Sequence, residues 1–167
     1  NMRIATWNVY LAPLMPRRRE RLPLVLQTLT QLVEERRVEL LVLQELHGYR
    51  CGPVAAWLQG WLPPGRLTDL LSIVCSRLEG WCGAEAPLHA PFRDAVVEQA
   101  VRLGLTHVAL PRPASTRSGT LDCGVVLLSK HPLHSSRTVL MPGDMIHTPG
   151  VVTATVQHLT VWGCHLL

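Results

Sequence analysis

Apolar and polar positions organise the chain from its first residues. Arg3-Ile4-Ala5-Thr6-Trp7-Asn8-Val9 alternates and is rich in strand formers, which predicts a strand ending near Asn8. Pro13, Pro16 and the arginines after them read as a loop, and Pro23 sits where the first turn of a helix tolerates it. Val25, Leu29, Leu32 and Val33 then recur at helical spacing, with Gln27, Gln31, Glu34 and Glu35 between them. An amphipathic helix is therefore predicted over about residues 22–36. Leu40-Leu41-Val42-Leu43 is apolar on both faces, as in a strand covered on both sides. Strand, helix and strand in this order predict a parallel crossover.

The stretch after residue 51 reads as helical over about 53–62, 67–78 and 92–103, with Pro63-Pro64-Gly65 and the segment from Gly80 to Pro91 as loops. Trp57 and Trp61 are four apart and share a helix face; their expected place, like that of Trp81, is the core, with a lipid-contacting patch as the lesser reading. The pattern then turns to strands at 106–110, 124–129, 137–140, 151–157 and 160–165, punctuated by Pro and Gly. A helical crossover followed by a run of strands predicts a mixed α/β layered fold without an internal domain boundary.

Composition narrows the class. Of 167 residues 47% are apolar and 17% charged, which excludes a disordered tail and supports one domain or most of one. The net charge is +4, and every basic residue but Lys130 is Arg, a balance compatible with an anionic substrate. The Arg17-Arg18-Arg19 run with Arg21 reads as a solvated loop at a helix start, with a phosphate or membrane contact as the minority reading. Five cysteines, an odd number without C-x-x-C, point to buried free thiols in a reducing compartment, which favours an intracellular location and leaves the compartment open. The start of the chain lacks a signal-peptide pattern, and no continuous apolar run has the length of a transmembrane segment. No obligate protein partner is indicated.

Candidate chemistry lies at two strand ends. Asn8 and the Gln44-Glu45 pair would meet in one crevice outside the carboxyl ends of adjacent parallel strands. A carboxylate beside an amide makes a hard-oxygen site suited to Mg²⁺ with waters retained. The alternative is that Asn8 caps a turn and Glu45 is an exposed strand end. His47 follows closely and has two readings, a histidine that reaches the crevice or, as the safer one, a plain loop histidine. His131 and His134 flank Pro132 in a turn and are expected to be exposed, and Asp122 is expected at the surface or facing substrate.

Four segments carry a resemblance. Met2–Val9 resembles the opening strand of the endonuclease/exonuclease/phosphatase superfamily. Leu41-Val42-Leu43-Gln44-Glu45 resembles its metal-binding strand. Asp122–Leu133 resembles its glycine-led strand and Ser-basic-x-Pro turn, and Val161–Leu166 resembles its strand ending in a Thr-His-Leu type motif, with Cys164 where Thr is usual. The four occur in family order across nearly the whole chain.

The resemblance implies a four-layer α/β/β/α sandwich of two mixed sheets with outer helices, incomplete at the C-terminus. Residues 1–167 would form a single partial domain, with a helical insertion at 51–91. It implies an Mg²⁺-dependent phosphoester hydrolase (Mn²⁺ as a substitute), with metal-assisted attack of water on phosphate. Glu45 would be the principal metal ligand, Asn8 would help hold the metal or its water, and His165 would stabilise charge on the phosphate. The family's Asp-x-Asn motif and terminal Asp-His base pair do not occur in these residues, so the chain alone is expected to be inactive. Arg3–Val9 and the Asp-x-Gly turn look sphingomyelinase-like, while nucleic acid and phospholipid both stay open as substrates. The other reading is a non-catalytic remnant that binds metal, nucleic acid or anionic lipid.

Overall fold

A computed structural model describes residues 2–11, 17–62, 66–83, 85–112, 121–141 and 149–164. In chain order the elements are β1 (Ile4–Asn8), α1 (Arg18–Glu34), β2 (Leu40–Gln44), β3 (Tyr49–Arg50), α2 (Pro53–Trp61), α3 (Arg66–Trp81), β4 (Leu88–His89), α4 (Pro91–Arg102), β5 (His107–Ala109), β6 (Val126–Ser129), β7 (Leu133–Leu140), β8 (Gly150–Val156) and β9 (Leu159–Cys164).

The opening crossover forms as the pattern predicts. Strand β1 runs parallel to β2, with Ile4 opposite Leu40 and Asn8 opposite Gln44. Antiparallel β6 and β5 extend this to a mixed four-stranded sheet in the order β1-β2-β6-β5. A second sheet, β7-β8-β9, is antiparallel throughout, and β3 with β4 makes a short third one. The β8–β9 link is a tight turn at Gln157-His158, with Gln157 in the left-handed region, which allows only antiparallel neighbours.

Two apolar clusters define the layers. On one face of the mixed sheet, Leu41, Leu43, Val126 and Leu128 meet Val25, Leu29 and Val33 of α1, together with Val96 and Ala100 of α4. On the other, Val42, Ala109 and Leu127 meet Val152, Ala154 and Val161 of the second sheet. Burying each such Leu or Val side chain contributes about 1.5–3 kcal/mol. The order is thus helices, sheet, sheet, an α/β sandwich. Among the described residues no helix covers the far face of the second sheet, where Trp162 and Val139 are exposed.

Two expectations change. Helix α1 begins at Arg18, four residues before the predicted start, so Pro23 lies inside it. The helix tolerates this because Val25, Leu29 and Val33 anchor it to the sheet, offsetting the hydrogen bond that proline cannot donate. Trp57, Trp61 and Trp81 are not in the core but 59%, 75% and 83% exposed. The inward positions of α2 and α3 belong instead to small residues (Ala55, Thr68, Ser72 and Ser76), and the bulky side chains point away. The shared face of Trp57 and Trp61 does form, with ring centroids 5.8 Å apart.

Candidate functional site

The parallel register sets Asn8 beside Gln44, and Val9 N–H continues the ladder to the Gln44 carbonyl at 3.1 Å. At the next residue β2 stops abruptly. Glu45 adopts φ 59°, a left-handed conformation that a residue with a Cβ holds at a cost of about 1–3 kcal/mol. The Glu45 side chain is buried, and Asn8 Nδ2 donates to its Oε1 at 2.7 Å. The Asn8 Oδ1 accepts from Tyr10 N–H at 3.1 Å, so the amide is fixed from both ends. Asn8 therefore caps its own turn and grips the carboxylate at once. Glu45 is not an exposed strand end, because the left-handed turn directs it inward.

A third strand end arrives at the same place. Gln44 Nε2 donates to the Cys164 carbonyl at 2.8 Å, tying the end of β2 to the end of β9 across the two sheets. Cys164 precedes His165 in sequence, and His165 itself lies outside the described residues. Asn8, Gln44, Glu45 and the Cys164 backbone are thus brought together by strand register rather than by proximity in sequence.

The loop that leaves Glu45 is clamped by a residue that sequence reasoning put elsewhere. Asp122 is fully buried, not at the surface. Its carboxylate accepts from Gly48 N–H at 3.1 Å and from Gly124 N–H at 2.9 Å, and pairs with Arg93 Nη1 at 2.5 Å. The burial is sustained because both carboxylate oxygens are satisfied and the opposite charge is in contact. His47 Nδ1 lies 2.8 Å from the Asp122 backbone carbonyl. A carbonyl only accepts, so Nδ1 carries the proton in that contact. Leu46 N–H donates to Gly124 O at 2.9 Å, closing the loop against the entry to β6. Gly124 has φ +64°, and a Cβ there would fall 2.6 Å from the His47 ring, so both conformation and space require glycine.

Asp122 and Arg93 are the residues that sequence reading missed, although each left a signal. Asp-x-Gly is the pattern of a side chain turning back on the amide two residues on, as Asp122 does with Gly124. Arg93 stands at i, i+3 and i+7 with Val96 and Ala100, the buried positions of α4. A lone arginine on such a face implies a buried anion. The neighbouring Cys123 thiol is pushed up to about 11 by burial and is a core group rather than a nucleophile at neutral pH. Cys51 is likewise buried, whereas Cys82 is exposed, against expectation. His131 is half-buried and reaches Glu39 at 2.7 Å, while His134 is exposed as predicted.

For a metal, the site offers one buried carboxylate and one side-chain amide. Among the described residues no three His, Cys, Asp or Glu side chains gather in one place. That donor set does not fit zinc, which takes three or four nitrogen and sulfur ligands. It does fit Mg²⁺, which is held through one or two carboxylates and keeps several waters.

Solved structures share this arrangement of strands and helices. Sphingomyelinase C from Streptomyces griseocarneus superposes with a TM-score of 0.51 at 15% identity, covering 96% of this chain and 47% of that one. A β-hairpin deletion mutant of beta toxin from Staphylococcus aureus gives 0.53 at 10% identity, covering 97% and 49%. An endonuclease/exonuclease/phosphatase family protein from Leptotrichia buccalis C-1013-b gives 0.50 at 13%, covering 100% and 54%. The fold is the one these solved structures share. The chain spans about half the length of each of these structures. No family profile and no curated protein sequence matches it.

Proposed function

We propose that this chain carries the metal-binding strand ends of an Mg²⁺-dependent phosphoester hydrolase. One observation carries the reading: Glu45, a buried carboxylate, is held in left-handed backbone strain and gripped by Asn8 at 2.7 Å. Strain of this kind persists where the surrounding structure over-determines a side chain, and it concentrates at functional sites. The superfamily fold supports the reaction class, since its named neighbours include a sphingomyelinase.

In this proposal Glu45 supplies the charged oxygen that binds the ion, and Asn8 orients it through a charge-assisted hydrogen bond. Asp122 and Arg93 keep the 45–48 loop from relaxing, so the carboxylate cannot swing outward. Gln44 fixes the end of β9, and His165, which follows it in sequence, is assigned charge stabilisation on the phosphate. An Mg²⁺ ion held by Glu45, with Asn8 orienting the carboxylate, would supply Lewis-acid polarisation of a phosphoryl oxygen and charge stabilisation at the leaving oxygen. The attacking water needs a base within hydrogen-bond reach. That base is not assigned to a residue of this chain, and turnover is proposed for the whole protein. The substrate class is a phosphodiester of nucleic acid or phospholipid.

Hydrolysis of bis(p-nitrophenyl) phosphate by the natural protein containing this chain tests the reading. The rate is expected to require Mg²⁺ or Mn²⁺ and to fall roughly 10³-fold in Glu45→Gln, the loss of several kcal/mol of transition-state stabilisation. Hydrolysis that survives chelation, or that is indifferent to Glu45→Gln, rules it out.

A further inference from the structure

Helix α3 is amphipathic the wrong way round. Its buried positions are Thr68, Ser72, Ser76 and Gly80, while Leu67, Leu70, Val74, Leu78 and Trp81 are 45–83% exposed. The exposed set recurs at i, i+3, i+7, i+11 and i+14, a single stripe along about four turns. Helix α2 does the same on a smaller scale. Ala55 is fully buried in a cluster with Tyr49 and Cys51, and Trp57 and Trp61 stand on the opposite side. The two helices pack against each other, with Val54 N–H at the start of α2 donating to Glu79 Oε1 near the end of α3 at 2.8 Å. Both stripes therefore belong to one antiparallel hairpin. Its core side is small and polar, and its outer side is large and apolar. Exposed apolar surface on this scale marks a docking site.

We infer that the α2–α3 hairpin docks on an uncharged lipid surface, lying in the headgroup boundary with its Leu, Val and Trp side chains inserted. Charge separates this occupant from polyanionic ones. Residues 53–81 contain Arg66 and Arg77 against Asp69 and Glu79, a net charge of zero. Such a patch does not attract nucleic acid or an anionic membrane, each of which needs clustered basic residues. The tryptophans favour it too. Trp61 and Trp81 are the last residues of α2 and α3. An indole at a helix end can bury its rings among acyl chains and leave its N–H in the wet headgroup layer. Among the described residues no helix is long and apolar enough to cross a membrane, so the hairpin lies on the surface. It also branches from the candidate site, since α2 begins at Pro53, close behind the loop that leaves Glu45.

The test is sedimentation of the full chain with phosphatidylcholine vesicles at low and high salt. Binding that is indifferent to salt is expected, and it should weaken about tenfold or more in a Trp57→Ser, Trp61→Ser, Trp81→Ser protein whose circular dichroism is unchanged. If those changes unfold the chain, a Trp162→Phe protein decides the matter: brominated phosphatidylcholine should quench its fluorescence, and no quenching overturns the inference. It is also overturned if only anionic vesicles bind and salt releases them. Equal binding by the triple variant, or dimers that the same substitutions dissolve without vesicle binding, overturns it as well. Glu45→Gln should bind vesicles like the wild type, so docking stands or falls separately from hydrolysis.

Discussion

The Asn8 amide nitrogen lies 2.7 Å from Glu45 Oε1, although 37 residues separate the two in the chain. The contact exists because the parallel register of β1 and β2 puts Asn8 opposite Gln44, and because Glu45 then turns inward. Asn8 is thus a positioning residue for the carboxylate. Asn8→Ala should weaken divalent-metal affinity about 10–100-fold, the usual effect of losing a residue that orients a ligand. Isothermal titration of the folded variant checks this. Unchanged affinity would assign Asn8 to the turn alone.

Glu45 should show opposed effects on stability and function. Its left-handed conformation costs about 1–3 kcal/mol, whereas glycine loses about 0.5–1 kcal/mol of backbone entropy on folding. The strain outweighs the entropy, so Glu45→Gly should unfold at an equal or higher temperature while losing metal binding. Calorimetry on the two proteins decides it. A variant destabilised by more than about 1 kcal/mol would mean that the Glu45 side chain is mainly structural.

These two residues also show how much was legible in sequence. The run Leu40–Leu43 announced a doubly covered strand, and the polar pair Gln44-Glu45 marked its end; register did the rest. The inward turn was not legible, because the left-handed conformation of Glu45 follows from loop bonds to residues near 122, far along the chain. Asp122 was misplaced for the same reason: only the fold brings Arg93 to it. The tryptophans of α2 and α3 misled differently. Their spacing predicts a shared face correctly, but spacing does not say which face meets the body. Here the small residues do.

Asp122 and Arg93 form a buried ion pair whose members need each other. Asp122→Ala leaves the guanidinium uncompensated and frees Gly48 and Gly124 N–H, and should destabilise the chain by about 3–5 kcal/mol. A double variant, Asp122→Leu with Arg93→Met, should recover part of that loss. Urea unfolding of the three proteins checks the ordering. A double variant no more stable than Asp122→Ala would contradict this, placing the loss in the bonds to Gly48 and Gly124 and not in the unpaired Arg93.

Acid sensitivity should appear at a second pair. The hydrogen bond from His131 holds the Glu39 carboxyl below its usual range. A carboxyl whose folded pKa is lowered adds stability above its unfolded pKa, and that stability is lost as pH falls through the folded pKa. The Tm difference between wild type and Glu39→Gln should therefore favour the wild type near neutrality and close in acid. The pair lies at the surface, so the difference should be small. A gap that widens on acidification would contradict the assignment.

The central claim is that the Asn8–Glu45 crevice binds a divalent metal for phosphoester chemistry. Mn²⁺ titration, followed by loss of the free-ion electron paramagnetic resonance signal, tests it most directly. A saturable Mn²⁺ site is expected in the wild-type chain, with Mg²⁺ displacing the bound ion and Glu45→Gln abolishing the site. Equal Mn²⁺ affinity in wild type and Glu45→Gln would contradict it.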